Sequence, residues 1–134
     1  MVDDSELDYI RTFLGKVHTV MTFKGFHETK NITQIADTQR GLVYPPEIIN
    51  GTDYYTKKRY NIKLSETTEA NLSTAIDNIL IGCRKLNRKI AITTYTKPAS
   101  LSKIIYSGSN KAYEHPTSKR WVQDIQLDVI WRVD

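Results

Sequence analysis

Residues that could carry out catalysis are few in this sequence, and their spacing matches no active-site motif. The three histidines, His18, His27 and His115, are far apart, and no serine lies in a Gly-x-Ser-x-Gly motif. No two histidines stand four residues apart, and the single cysteine, Cys83, lacks the partners of a multi-cysteine zinc site. We therefore predict no catalytic residues, no metal site and no enzyme activity.

Two aspartates offer one catalytic alternative. Asp124 and Asp128 fall on the same side of a predicted strand, where they resemble the paired carboxylates of a metal-dependent nuclease with Lys57 or Lys63 nearby. Alternating acids on a solvated strand usually pair with basic residues across strands, and Lys57, Arg59 and Lys63 would supply those partners. We favour ion pairing over the nuclease.

The sequence also predicts no cofactor. Its six glycines are scattered singly, so no strand-to-helix junction has the glycine cluster that binds a phosphate group. Cys83 follows the apolar spacing of a predicted helix, where cysteine behaves as a small apolar residue. A single cysteine also excludes an internal disulfide framework.

Basic and aromatic residues support an alternative function, nucleic-acid binding. The formal net charge is +4, and three tyrosines surround the basic triplet in residues 54–60. On an open sheet, Tyr55 would stack on bases while Lys57, Arg59 and Lys63 contact phosphates. Tyrosine is also a favoured strand residue, and the aromatic run of an RNA-recognition sheet is missing. Nucleic acid therefore stays an alternative partner.

Two amphipathic helices are predicted to position these residues. Apolar side chains recur with a period of 3.6 residues over Ser5–Met21 and, more regularly, over Thr68–Leu86. Gly15 weakens the first helix, and a close approach by another backbone would explain its presence. At the end of the second helix, Asn87 is expected to adopt the left-handed stop conformation.

Alternating polar and apolar residues predict the strands. The patterns cover four segments: Tyr54–Leu64, Ile90–Thr96, Leu101–Ser107 and Trp121–Val133. Short edge strands and loops are expected between Thr22 and Asn50, followed by a turn at Asn50-Gly51. The strand before the second helix and the strand at Ile90–Thr96 would form a right-handed β-α-β crossover.

Together these elements predict a single α+β domain over residues 1–134. We expect a mixed sheet of four or five strands, with both helices packed on one face and a β-α-β crossover within it. The other face would carry polar side chains and remain accessible.

Charge is unevenly distributed along the chain. Acidic residues concentrate at the amino end and basic residues at the end of the second helix, giving these candidate interface residues: Asp3, Asp4, Glu6, Arg84, Lys85, Arg88 and Lys89. Unlike patches of this kind suit a contact in which one surface of a subunit meets a different surface of its neighbour.

Hydropathy predicts no membrane partner. No apolar run approaches the ~20 residues that a membrane span requires, and the opening residues lack a basic segment followed by an apolar one. We expect an intracellular protein, in the cytoplasm or, for a viral protein, in the host cytoplasm or the virion.

The order of elements is distinctive. An amino-terminal helix precedes the segment Tyr44–Gly51, which leads into a strand, and one long amphipathic helix and a closing strand at Trp121–Trp131 follow. From about Gly41 to Asp134, this layout resembles the tail-terminator, or tail-completion, proteins of long-tailed phages and proviral elements.

The resemblance implies a non-enzymatic structural subunit without catalytic residues. Such subunits assemble into a ring that ends tail-tube growth and forms the junction with the head. It therefore implies a homo-oligomer that contacts other assembly proteins. In such a ring, the long loops at Thr22–Leu42 and Ser107–Arg120 would extend across a neighbouring copy.

Overall fold

The computed structural model describes residues 4–92 and 95–133, and it confirms the α+β class. Its elements are α1 (Asp4–Val17), β1 (Thr22–Gly25), a 3-10 turn (Ile32–Gln34), β2 (Arg40–Val43), β3 (Glu47–Gly51), β4 (Tyr55–Glu66), α2 (Glu69–Asn87), β5 (Leu101–Ser109), β6 (Tyr113–Glu114) and β7 (Trp121–Arg132). The described sheet has seven strands rather than four or five, because β1, β2, β3 and β6 are too short to give a clear alternating pattern.

Two long antiparallel strands form the centre of the sheet. The path across it is β1-β2-β4-β7-β5; β1 and β2 are parallel, and the other pairs are antiparallel. β4 and β7 pair along their whole lengths, from Tyr55 opposite Arg132 to Glu66 opposite Trp121. β3 pairs with the first half of β4, and β6 with the start of β7.

The β-α-β crossover is present, but its second strand is β5 rather than the predicted strand at Ile90–Thr96. β4 and β5 both run antiparallel to β7, so they are parallel to each other and are connected through α2. The predicted strand at Ile90–Thr96 is wrong for its described residues, which make only an isolated bridge between Ile92 and Tyr95. These two side chains pack against the core instead. Thr93 and Thr94 lie outside the described residues.

Both helices bury their apolar faces against one side of the sheet, as predicted. From α1 the core receives Leu7, Ile10, Phe13 and Leu14; from α2, Leu72, Ala75, Ile79, Cys83 and Leu86; and from β4 and β7, Tyr60, Ile62, Leu64, Ile125, Leu127 and Val129. Thr68 caps α2, since its hydroxyl accepts a hydrogen bond from the Asn71 amide at 3.1 Å. Neither α1 nor α2 is long and apolar enough to span a membrane.

The close approach predicted at Gly15 occurs at a different glycine. A Cβ at Gly15 would meet no atom within 4 Å, whereas a Cβ at Gly82 in α2 would lie 2.4 Å from Cγ1 of Val17 at the end of α1. The helix also ends before the predicted Met21, because the chain turns after Val17 to enter β1. The two helices are therefore in close contact at Gly82.

Asn87 does not form the predicted left-handed stop. It is the last helical residue of α2, and the positive φ, 59°, falls at Lys89. The Asn87 side chain instead binds the backbone of β5: its amide nitrogen donates to the Ile104 carbonyl at 2.7 Å, and its oxygen accepts from the Ile104 amide at 2.9 Å. An asparagine thus occupies the outer edge of β5 where another strand would pair.

The predicted turn at Asn50-Gly51 lies two residues too early. Both residues belong to β3, and the chain reverses over Thr52–Tyr54, where the Thr52 hydroxyl accepts a hydrogen bond from the Tyr54 amide at 3.1 Å. This reversal makes β3 and the start of β4 a hairpin.

Both long loops are attached to the end of β4 in their own subunit. The Thr22–Leu42 segment contains β1, the 3-10 turn and most of β2. Arg120, at the end of the second loop, donates to the Ser65 hydroxyl at 2.7 Å, to the Ser65 carbonyl at 3.0 Å and to the Thr38 carbonyl. One guanidinium therefore holds both loops against the end of β4.

Candidate assembly interface

The polar face of the sheet consists mainly of cross-strand pairs. Arg59 on β4 lies opposite Asp128 on β7, and its guanidinium contacts that carboxylate at 2.9 and 3.2 Å. This hydrogen bond lowers the pKa of Asp128, although burial of the carboxyl acts in the opposite direction. It also raises the pKa of Arg59. The pair therefore stays ionised and joins the two central strands.

The nuclease alternative does not fit this geometry. Asp124 and Asp128 do share a face of β7, but at a rise of about 3.3 Å per residue they are separated by about 13 Å along the strand. Asp128 is also engaged by Arg59, and Asp124 accepts a hydrogen bond from Asn110 at 3.4 Å. The two carboxylates cannot bind one metal ion together.

The four residues predicted for nucleic-acid binding do lie on one face. Tyr55, Lys57, Arg59 and Lys63 alternate along β4 opposite Arg132, Ile130, Asp128 and Asp124. The aromatic residues of the same segment are dispersed, however, because Tyr60 is in the core and Tyr54 is in the turn after β3. Of the three tyrosines in the basic segment, this face therefore carries only Tyr55. Acidic and basic side chains alternate around it.

A shallow groove of about 640 Å³ crosses this face. Most of the residues that line it are of polar type, and they include Tyr44, Asn61, Lys63, Asn110, Asp124 and Gln126. The Asn110 oxygen accepts from the Asp124 amide at 2.8 Å, and the Gln123 side chain donates to the Asn110 carbonyl at 2.7 Å. These groups can form hydrogen bonds to a partner, but the lining contains no serine-histidine or cysteine-histidine pair.

The acidic amino end is partly neutralised within the subunit. Glu6 accepts hydrogen bonds from the Lys58 ammonium at 2.6 and 3.1 Å, so this predicted interface residue ties α1 to β4. Asp4 is the first residue of α1, and Asp3 lies outside the described residues.

The basic end of α2 is available for a partner. Arg84, Lys85, Arg88 and Lys89 are all exposed around the last turn of the helix. Cations in this position interact favourably with the negative end of the helix dipole. The predicted basic patch is therefore accessible to a partner. In the predicted acidic patch, Glu6 is already paired with Lys58 of the same subunit.

One cluster with metal-ligand chemistry was not predicted from the sequence. Ligand atoms of Asp8, His27 and Glu28 all lie within 4.8 Å of one another. Arg11 contacts Glu28 at 2.9 Å and Asp8 at 3.4 Å, and the His27 Nε2 lies 3.1 Å from Asp8. The Arg11 guanidinium and the Lys24 ammonium, which lies 3.6 Å from Glu28, already balance the two carboxylates, so the cluster is satisfied as an ion-pair network that connects α1 to the segment after β1.

His18, directly after α1, is buried. The amide nitrogen of Asn78 in α2 donates to its Nδ1 at 2.9 Å, and burial lowers its pKa. The neutral ring then has its proton on Nε2, which has no hydrogen-bond partner in the described part of the chain. His18 is therefore a structural residue that joins the end of α1 to α2.

Glu66 is fully buried at the end of β4. Burial raises the pKa of its carboxyl, while polar interactions with Gln39 and Thr67 and the charge of Arg120 act in the opposite direction. Neither carboxylate oxygen has a well-formed hydrogen bond within the described residues.

Cys83 is buried as predicted, and desolvation raises its pKa to about 12, so the thiol is unreactive.

Comparison with known proteins provides information on the fold of this chain and not on its function. No protein-family model matches the chain, and no curated protein matches its sequence. Among solved structures, the chain is similar to one in the virion of a native gene transfer agent particle, with a TM-score of 0.55 and 9% sequence identity. The match covers 98% of this chain and 92% of the other. At this identity, the likeness shows a shared fold.

Proposed function

We propose that this chain is a non-enzymatic structural subunit of a phage-like particle, acting as a tail terminator that forms a ring at the head-tail junction. The observation that carries the proposal is the fold likeness to a virion chain over nearly the full length of both proteins. The tail-terminator assignment goes further, and it rests on the order of elements from the segment before β3 to the final strand.

The side chains on the accessible surfaces support a structural role. On the polar face, the best-placed carboxylate, Asp128, is committed to Arg59. The buried titratable groups, His18, Glu66 and Cys83, are enclosed by the core or by the loops. We infer that such a surface binds protein, because no described group is both activated and accessible to a small substrate.

The proposed partners are further copies of this chain and other assembly proteins, and the proposed location is the virion or the cytoplasm of the host. Nucleic-acid binding gains no specific support, because the acids on the polar face partly neutralise Lys57, Arg59 and Lys63. It remains an outcome of the test below.

The first test is genetic. Genes for capsid and tail proteins should lie beside the gene for this chain, and deleting it from the parent element should yield tails of irregular length that do not join heads. Normal particles after deletion would contradict the proposal. Binding of the purified chain to DNA or RNA that weakens steeply with salt, and with Lys57→Ala, would favour the alternative.

A further inference from the structure

The hairpin formed by β3 and the start of β4 projects unpartnered apolar side chains. All five residues of β3 are exposed, and the exposed fraction reaches 72% for Ile48 and 81% for Tyr54 at the turn. The exposed charges of the hairpin are two acids, Glu47 and Asp53, because the cations of the paired β4 segment are half-buried and two of them, Lys58 and Arg59, bind Glu6 and Asp128 within the subunit. Exposed apolar groups rimmed by polar and charged residues are typical of a protein-binding surface.

The outer backbone edge of β3 has no paired strand in the described sheet, but its geometry is poorly suited to strand addition. The pairing of β3 with β4 is irregular between Ile48 and Asn50, and the Asn50 side chain accepts a hydrogen bond from the Gly51 amide at 2.8 Å. Irregularities of this kind disfavour the addition of another strand. A partner would therefore contact Ile48, Ile49 and Tyr54 themselves.

The end of α2 has the complementary character. Between Asp77 and Glu114 the sequence contains no acid but seven cations, and four of these surround the last turn of α2. Ile81 and Ile90 are 48% and 50% exposed there. An apolar groove of about 460 Å³, lined in part by Leu86, Ile90 and Ile92, lies beside them.

These two surfaces lie on opposite edges of one subunit. β3 flanks β4 on the side that also carries β2, whereas α2 packs mainly on β5, the strand at the other edge. The end of α2 is fixed there by the hydrogen bonds between Asn87 and Ile104. The hairpin of a subunit therefore cannot reach its own α2 groove, but it can reach that of a second copy.

We propose that the β3–β4 hairpin of one copy docks onto the end of α2 of the next copy, in a head-to-tail contact. Ile48 and Tyr54 would cover Ile81, Ile90 and the adjoining groove, while Glu47 and Asp53 face the basic side chains. Such a contact uses two different patches, so it repeats around a ring. This inference rests on the proposed function, since it assigns the surfaces through which the ring would form.

Direct pairing of sheet edges is a weaker alternative. The outer edge of β5 is blocked at Ile104 by Asn87, and at Leu101 the carbonyl accepts a hydrogen bond from the Lys97 ammonium at 2.6 Å. A strand from a neighbour would have to displace both side chains. Charge complementarity between the hairpin and the α2 end requires no such rearrangement.

Charge reversal tests the contact in both directions. One full-length variant carries Glu47→Lys and Asp53→Lys, and a second carries Lys85→Glu and Arg88→Glu. Sedimentation velocity from micromolar to millimolar concentration should show discrete oligomers for the wild-type chain. Each variant alone should associate at least about tenfold more weakly, because two attractions become repulsions. A one-to-one mixture of the variants should assemble again, since each supplies the surface that the other needs.

The control carries the same number of reversals elsewhere: Lys30→Glu and Lys111→Glu, both at exposed positions. It should assemble like the wild type, and circular dichroism should show that all variants are folded. Oligomers that both charge-reversed variants form normally, or a mixture that stays monomeric, would overturn the docking contact but leave the proposed function intact. A wild-type chain that remains monomeric at every concentration would overturn the docking contact, whereas the proposed function is judged separately by the tails of the deletion mutant.

Discussion

Replacing two helical glycines with alanine should change stability in opposite directions. Alanine at Gly82 places a Cβ 2.4 Å from Cγ1 and 2.8 Å from Cβ of Val17, where ordinary contacts begin at about 3.5 Å. Val17 is β-branched, so its side chain has little rotamer freedom in a helix. The two helices must therefore separate by about 1 Å, and overpacking of this size costs about 1–3 kcal/mol.

Helix propensity offsets part of that cost. Alanine is favoured over glycine in a helix interior by about 1 kcal/mol, so Gly82→Ala should lower the free energy of unfolding by about 1 kcal/mol net. Gly15→Ala gains the same propensity and meets no atom within 4 Å, so it should raise that free energy by about 1 kcal/mol. For a chain of this size, each change corresponds to a shift in Tm of about 3–5 °C.

Urea denaturation followed by circular dichroism measures both variants, and a double mutant identifies the clash. Combining Gly82→Ala with Val17→Ala should cost about 1 kcal/mol less than the sum of the single changes, because the shorter side chain leaves room for the new methyl group. The reasoning is refuted if Gly82→Ala is as stable as Gly15→Ala, or if the two changes at the helix contact are additive.

Two further changes test a buried acid and a protected strand edge. Glu66→Gln should raise the free energy of unfolding by about 1 kcal/mol at pH 7, because an enclosed amide costs less than an enclosed carboxylate. Since burial raises the folded-state pKa of Glu66 above the ordinary value of 4.5, wild-type stability should fall as pH rises from about that value through the folded-state pKa. The glutamine variant should lack this slope and exposed Glu114→Gln should keep it; equal slopes for all three proteins would argue against the assignment. Asn87→Ala should lower the free energy of unfolding by about 1–2 kcal/mol and accelerate hydrogen exchange at the Ile104 amide, because two hydrogen bonds to β5 are lost. Arg84→Ala on the same helix turn should leave that amide unchanged, and unaltered exchange in the Asn87 variant would show that the side chain does not cap the edge.

Local periodicity predicted the elements that bury a complete face. The apolar spacing from Leu72 to Leu86 and the alternation along β4 and β7 hold because every second or every third to fourth side chain enters one core. The segment Ile90–Thr96 has the β-branched composition of a strand, but composition cannot indicate whether a neighbouring edge is free. Asn87 already occupies the relevant edge of β5.

The candidate surfaces were predictable only where they follow from alternation within one strand. Tyr55, Lys57, Arg59 and Lys63 share a face for that reason, and ion pairing was the favoured role of Asp128. The hydrogen bond between Asp8 and His27 joins residues 19 positions apart through the packing of α1, so no local pattern reveals this cluster. The exposure of β3 likewise could not be predicted from a local pattern. It depends on the pairing of β2 with the second half of β4, which leaves the first half of β4 to β3.

The position of β7 determines when the protein can fold during synthesis. This strand is the last element of the described chain, yet it separates β4 from β5 and pairs with both. A chain still attached to the ribosome, with β7 inside the exit tunnel, can pair β1 to β4 as one group, whereas β5 and β6 have no partner strand among the described residues. Folding must wait for pairings between residues distant in sequence, which are slow to form, and meanwhile the apolar faces of both helices are exposed to chaperones.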